Sequence, residues 1–165
     1  MDGLDQKHAK KMNQENTSTS KDEVIKTIEK YGGITVTGPV SLYNNFKKFK
    51  YDYYYNDIYP LSTELKRIAN NQGLNCTDLA QLYYTAYKEM GFTNEIQIVR
   101  GTVTCKSGKT FGHVWCRVKD DGKWINVDPS AAAAHGYSYG TLICTNGYTI
   151  TNINPNWALS DDGKT

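Results

Sequence analysis

The chain has 165 residues, room for one domain and a short appendage. Nineteen basic against seventeen acidic residues leave a net charge of +2, too even a balance to point to nucleic acid or an anionic membrane surface. No apolar run approaches the roughly 20 residues of a membrane span, and residues 1–20 lack the apolar stretch of a signal peptide, so the expectation is a monomer made in the cytoplasm.

Residues 1–20 are polar and aperiodic and read as a linker or disordered lead-in, with 21–165 as one domain. Ser20 and Glu23 have capping-box spacing. Val24, Ile25, Ile28 and Tyr31 then recur at helical spacing before Gly32 and Gly33, which predicts a first helix with a glycine stop. Residues 40–59 are ambiguous: Leu42, Phe46, Phe49 and Tyr53 fit a helix, yet the tyrosines clustered there also suit strand or loop. After Pro60, Ser62 and Leu65 to Ile68 predict another helix, closed by Asn70, Asn71 and Gly73. The clearest helix follows over residues 76–90. There Leu79, Leu82, Tyr83, Ala86 and Met90 share one face, Asn75 stands as N-cap and Gly91 as the stop.

Beyond Gly91 the pattern changes to strands. Ile96, Ile98, Val99, Val103 and Thr104 predict one, His113 to Val118 a second, and Trp124 to Asp128 a third, stopped by Pro129. Turns are expected at Lys106 to Lys109 and at Asp121 and Gly122. Residues 131–140 read as a small-residue loop, and a final strand is expected within 141–150. Helices first and an antiparallel sheet after them make an α+β layout.

Four cysteines are present: Cys76, Cys105, Cys116 and Cys144. Without a secretory signal the expectation is that none is bridged, and no Cys-x-x-Cys or zinc spacing occurs. A thiol attacks only as thiolate, which a helix N-terminus stabilises. Cys76 alone opens a helix. A cysteine nucleophile also needs a base, and the base needs a group to fix its tautomer. If the turn at Asp121 and Gly122 is even in length, His113 falls directly or diagonally across from Asp128, both on one face; a bulge there would break that parity. His8 and His135 sit in the lead-in and the expected loop, where nothing fixes a base.

The stretches GLNCTDLAQLYYTAYKEMGF, FGHVWCRV and WINVDPS resemble the transglutaminase-like superfamily of cysteine hydrolases. The resemblance covers roughly residues 65–130. It implies a transglutaminase-like (papain-like) fold, with helices packed on an antiparallel sheet and Cys76, His113 and Asp128 as a catalytic triad. More specifically, the Asn-Cys-Thr-Asp core, the tyrosine-rich approach and the trailing NPNWALSDDG resemble the pseudomurein endoisopeptidases of methanogen viruses and prophages. That family implies hydrolysis of the isopeptide bond between alanine and a lysine ε-amine in the archaeal cell wall, acting at lysis. It also implies N-terminal wall-binding repeats, and none is read in these residues.

The backbone N–H of Cys76 is the expected first oxyanion donor, with Asn75 and Gln72 as candidates for a second. Trp115 shares a strand face with His113 and reads as a wall of the groove or as a core residue. Tyr54, Tyr55 and Tyr59, with Tyr51 and Tyr53, are candidates for a substrate surface, although most are expected to pack helices onto the sheet. The chemistry requires no cofactor. Calcium or another divalent cation is an expectation from the resemblance, with Asp120, Asp121, Asp161 and Asp162 as oxygen donors. Two other readings use the same fold: a transglutaminase or acyltransferase, and a non-catalytic wall-binding domain.

Overall fold

Apolar spacing in the first half of the chain builds four helices around one another, as a computed structural model covering residues 21–54, 58–144 and 148–155 shows. Helix α1 (Lys21–Gly32) buries Val24 and Ile28, and α2 (Pro39–Asn45) buries Leu42 and Tyr43. A 3-10 turn, Phe46–Lys48, resolves the ambiguous stretch as helix followed by extended chain. Tyr51 then makes a lone parallel bridge to Leu74. Helix α3 (Leu61–Ala69) ends where Asn71 takes a left-handed φ of 58°. Helix α4 (Cys76–Glu89) is buried on nearly every side, because the other helices wrap it and its remaining face lies on the sheet.

Strands β1 (Ile96–Cys105), β2 (Thr110–Asp120), β3 (Lys123–Val127) and β4 (Tyr148–Asn154) form one antiparallel sheet in the order β3-β2-β1-β4. The β2–β3 turn has two residues, Asp121 (φ 50°) and Gly122 (φ 76°). Paired positive φ values are the primed hairpin turn whose twist matches that of the strands. Its even length sets the register Asp120↔Lys123 through Cys116↔Val127. Because strand side chains alternate, Ile96, Ile98, Val114, Cys116 and Val118 join the core against α4. Val99, Val103 and Trp115, on the opposite face, join a second, smaller core with Leu142 and Cys144.

Three expectations are corrected. Residues 131–140 do not form a loop throughout: α5 (Pro129–His135) is helical, with the Asp128 carboxylate accepting from Ser130 N–H, Pro129 in the first turn and Gly136 as a left-handed stop. Asp-Pro followed by four alanines is a helix start in its own right. The last strand begins at Tyr148, not in 141–144, because that segment crosses the outer face of the sheet and covers Trp115. Finally, Cys105 and Cys144 are joined by a disulfide, their Cα atoms 5.6 Å apart. The strap brings Cys144 back over the end of β1, which no spacing in the sequence reveals. Closing a 39-residue separation is worth about 4 kcal/mol in a chain-entropy account. Reduction is therefore expected to lower the urea midpoint, by an amount worth about 2–4 kcal/mol, in paired denaturation curves with and without a phosphine reductant.

Candidate active site

Cys76 is the first residue of α4, and Asn75 fixes that start. The Asn75 carboxamide oxygen accepts from Asp78 N–H at 2.9 Å, and its amide donates to the Tyr54 carbonyl at 3.2 Å. The first-turn N–H groups of Cys76 and Thr77 are not served by that cap, as helix geometry requires. Cys76 is 8% exposed, and its thiol, like that of Cys116, is unbridged. Cys116 is fully buried and donates to the Ala80 carbonyl, and burial pushes its thiol well up. It has neither the exposure nor the charge that makes a thiol reactive.

The β2–β3 ladder ends at Cys116↔Val127, so β2 residues before Cys116 lack a partner on that side. Into this opening come Asp128, the start of α5 and the start of α4. His113, on the strand face shared with Trp115, donates from Nε2 to Asp128 Oδ2 at 2.9 Å, both side chains being buried. The tautomer follows from the partner: a carboxylate only accepts. Nδ1 takes no part in that bond, and Cys76 lies close enough for its charge to act on the ring. Asp128 is fixed in turn by Ser130 N–H on Oδ1 (3.1 Å) and Ile143 N–H on Oδ2 (3.0 Å).

Burial, the largest influence on His113, would hold the ring neutral. The Asp128 carboxylate, through charge and hydrogen bond, with Cys76 adding to it, overrides burial and raises the imidazole from 6.5 to about 10. A folded value above the unfolded one gives stability that is complete below pH 6.5 and is lost as pH rises toward 10. Urea stability should therefore fall between pH 7 and 10 by at most ~1.4 kcal/mol per unit from this group. Asp128→Asn should flatten that slope, which denaturation at four pH values would measure.

A cleft of about 580 Å³ opens over these groups, lined by Asn75, Cys76 and His113 together with Tyr51, Tyr53 and Tyr54. The tyrosine expectation thus divides. Tyr54 lines the cleft, while its hydroxyl donates to Asp78 Oδ2 (2.6 Å) and accepts from Asn75 N–H (3.1 Å). Tyr59 lies behind it, rings 5.1 Å apart, and is not part of the lining. Tyr55 is outside the described residues.

Two site expectations are corrected. Trp115 is fully buried and forms no cleft wall; it stacks under His113 with ring centres 5.7 Å apart and donates from Nε1 to Asn126. The strap over residues 142–144 turned an outer sheet face into core. Gln72 does not reach the cleft, because the turn after α3 leaves it exposed and returns its N–H to the Arg67 carbonyl. Among the described residues, no three His, Cys, Asp or Glu side chains gather as a metal would require. Asp120 and Asp121 serve the β2–β3 turn, and Asp161 and Asp162 lie outside the described residues.

The family described as pseudomurein endo-isopeptidase Pei matches residues 18–153. The chain belongs to the pseudomurein endo-isopeptidase family. It is 40% identical over 129 residues to the pseudomurein endoisopeptidase PeiW of Methanothermobacter phage psiM100, covering 74% of this chain and 43% of that one. It is 30% identical over 110 residues to a pseudomurein endoisopeptidase of Methanobacterium phage psiM2, covering 61% and 35%. The chain thus spans less than half the length of either relative. A solved structure from Cytophaga hutchinsonii, described as a candidate cysteine protease, is 15% identical with a TM-score of 0.42, covering 81% of this chain and 50% of that one. That likeness is too loose to bear on the site.

The chain also holds residues that sequence reasoning passed over. Glu64 is fully buried on the stripe formed by Leu61, Leu65 and Ile68. Burial, with the charge of Asp78 beside it, pushes its carboxyl well above the usual range. Burial also raises Asp78, against the hydrogen bonds from Glu64, Tyr54 and Tyr59 N–H and the charge of Arg67. The acid pair anchors Tyr54 and, through it, the residue before Cys76. A glutamate at an apolar helical position was the available signal. Arg100, Lys109, Phe111 and Ile143 line the cleft as well, and so does His135, which ends helix α5 and does not lie in the expected loop.

Proposed function

We propose that Cys76, His113 and Asp128 act as a catalytic triad, and that the domain is a cysteine endoisopeptidase cleaving the alanine to lysine ε-amine bond of pseudomurein at lysis. The observation that carries the reading is the buried His113–Asp128 pair, which leaves a ring nitrogen for a thiol at a helix N-terminus inside an open cleft. With the imidazole protonated, Cys76 is held beside a cation as a thiolate requires.

The Cys76 sulfur adds to the amide carbonyl carbon, and the carbonyl π electrons move onto oxygen. The first-turn N–H of Cys76 meets that oxyanion, and Asn75, which also lines the cleft, is the candidate for a second donor. On collapse the C–N bond breaks, and the lysine ε-nitrogen takes the Nδ1 proton of His113. A thioester and a free amine result. Water, losing a proton to Nδ1, adds to the thioester carbonyl; the C–S bond then breaks, returning the thiolate and the imidazolium and releasing a carboxylic acid, whose proton passes to the freed amine. Asp128 stabilises the charged ring in both halves. The residues supply every proton transfer, so no step calls on a cofactor.

The test is incubation with an Nε-alanyl-lysine peptide, with and without a labelled primary amine. Release of one ε-amine and one carboxylate per turnover is expected, with little label incorporated. Incorporation of the amine in place of carboxylate release would make the domain an acyltransferase. Absence of both would remove the catalytic reading.

A further inference from the structure

The hydrolysis above leaves two charged side chains of the cleft without a task, Arg100 and Lys109. Among the described residues, no Asp or Glu lines the cleft. Among the described residues the ion pairs are Arg67–Asp52, His113–Asp128 and Lys119–Glu95, so neither cation has a carboxylate partner there. Both are placed by residues next to His113. The Lys109 ammonium lies 5.8 Å from the Phe111 ring centre, and that ring meets His113 edge-on at 5.8 Å. Arg100, half-buried on β1, lies against Gly112, the residue before His113. A Cβ at position 112 would come 2.9 Å from a terminal guanidinium nitrogen, so the missing side chain makes the slot in which the guanidinium rests. A partly desolvated cation without a counter-ion is costly, and an arriving anion relieves that cost.

We propose that Arg100 and Lys109 form an anion subsite of the cleft, which takes a free carboxylate of the substrate peptide close to the scissile amide. The proposal rests on the reading that Cys76 attacks a peptide in this cleft. A carboxylate is the anion that a peptide offers, and the guanidinium fork matches it with two parallel hydrogen bonds. The substrate class narrows accordingly, to isopeptides flanked by a residue whose carboxyl is not amidated. The subsite also explains how a small open cleft selects among amides: a peptide with the carboxylate gains an ion pair that a neutral one lacks.

Two reagents that differ in one charge read the subsite without any turnover. Cys76 alkylation by iodoacetate and by iodoacetamide is measured in the parent chain, in Arg100→Gln/Lys109→Gln, and in the charge-matched control Lys47→Gln/Lys88→Gln, remote from the cleft. The iodoacetate to iodoacetamide rate ratio is expected to fall at least ~3-fold in the cleft variant and to hold in the control. An unchanged ratio, or an equal fall in both variants, would overturn the subsite. Lys109→Gln alone, at an exposed position, carries the comparison where the Arg100 change disturbs the sheet. In parallel, a carboxylate-flanked isopeptide should exceed its carboxamide twin in kcat/KM by roughly 10-fold, a preference the cleft variant loses. Equal kcat/KM for the twins in the parent chain would also overturn the subsite. Failure of the parent chain to cleave either peptide would instead strike the hydrolase reading, leaving the alkylation ratio to decide the subsite.

Discussion

Cys76→Ala is expected to cleave no isopeptide above background while folding as the parent does. Loss of the nucleophile in a triad enzyme removes roughly 10⁴ to 10⁶ in kcat, since nothing else in the site makes the covalent bond. The other unbridged thiol, Cys116, faces the α4 core and donates to Ala80, so it has no route to the cleft. Folding should survive. The residue is 8% exposed and lines the cleft, and its thiol makes only a loose polar contact with the Thr77 hydroxyl at 4.0 Å. Removing one sulfur there costs on the order of 1 kcal/mol. Assaying ε-amine release beside thermal melts checks both halves. Activity within about tenfold of the parent would place the nucleophile elsewhere.

Asp128→Asn has the second-largest expected effect, and its cause is the donor arrangement around the carboxylate. Oδ2 receives His113 Nε2–H and Ile143 N–H, and Oδ1 receives Ser130 N–H. An asparagine has one acceptor oxygen for these three donors. With its NH₂ at the Oδ1 position it confronts Ser130 N–H. With its NH₂ at the Oδ2 position it confronts Ile143 N–H and forces His113 into the other tautomer, whose Nδ1 carries the proton and accepts none. We expect kcat to fall by about 10³ to 10⁴, the scale seen when a triad aspartate becomes asparagine, and stability to fall by about 1–3 kcal/mol from the buried mismatch. Kinetics at pH 7 with a urea curve on the same sample measures the two together. A variant with full kcat would show that His113 is oriented by something else.

The parts of the site that depend on local rules were legible in the sequence. Asn75, Cys76 and the 3.6-residue spacing of Leu79, Leu82 and Ala86 declare a capped helix without help from the rest of the chain. The Asp121 and Gly122 turn declares a two-residue hairpin, and its parity carries Asp128 to the face of His113. What was not legible depends on coverage and on ends. Trp115 reads equally as a groove wall or a core residue, and only the strap over 142–144, pinned by a disulfide between cysteines of different elements, decides for the core. Gln72 sits close to Cys76 in sequence, but the turn after α3 leaves it in solvent. Arg100 and Lys109 join the cleft because β3 stops at Val127 and opens the edge of β2. Strand patterning does not say where a ladder ends. The α5 helix is different: Asp-Pro, four alanines and a glycine announce it, although small residues on their own suit a loop as well.

Covalent capture at Cys76 tests the central claim most directly. The parent chain is mixed with an Nε-alanyl-lysine peptide, quenched in acid within the first turnover and digested for mass spectrometry. The account predicts an acyl group of the alanine-side fragment on the peptide containing Cys76, cleaved by hydroxylamine and absent when the chain is first alkylated with iodoacetamide. Turnover with Cys76 unmodified at every quench time, and unslowed by that alkylation, would contradict it.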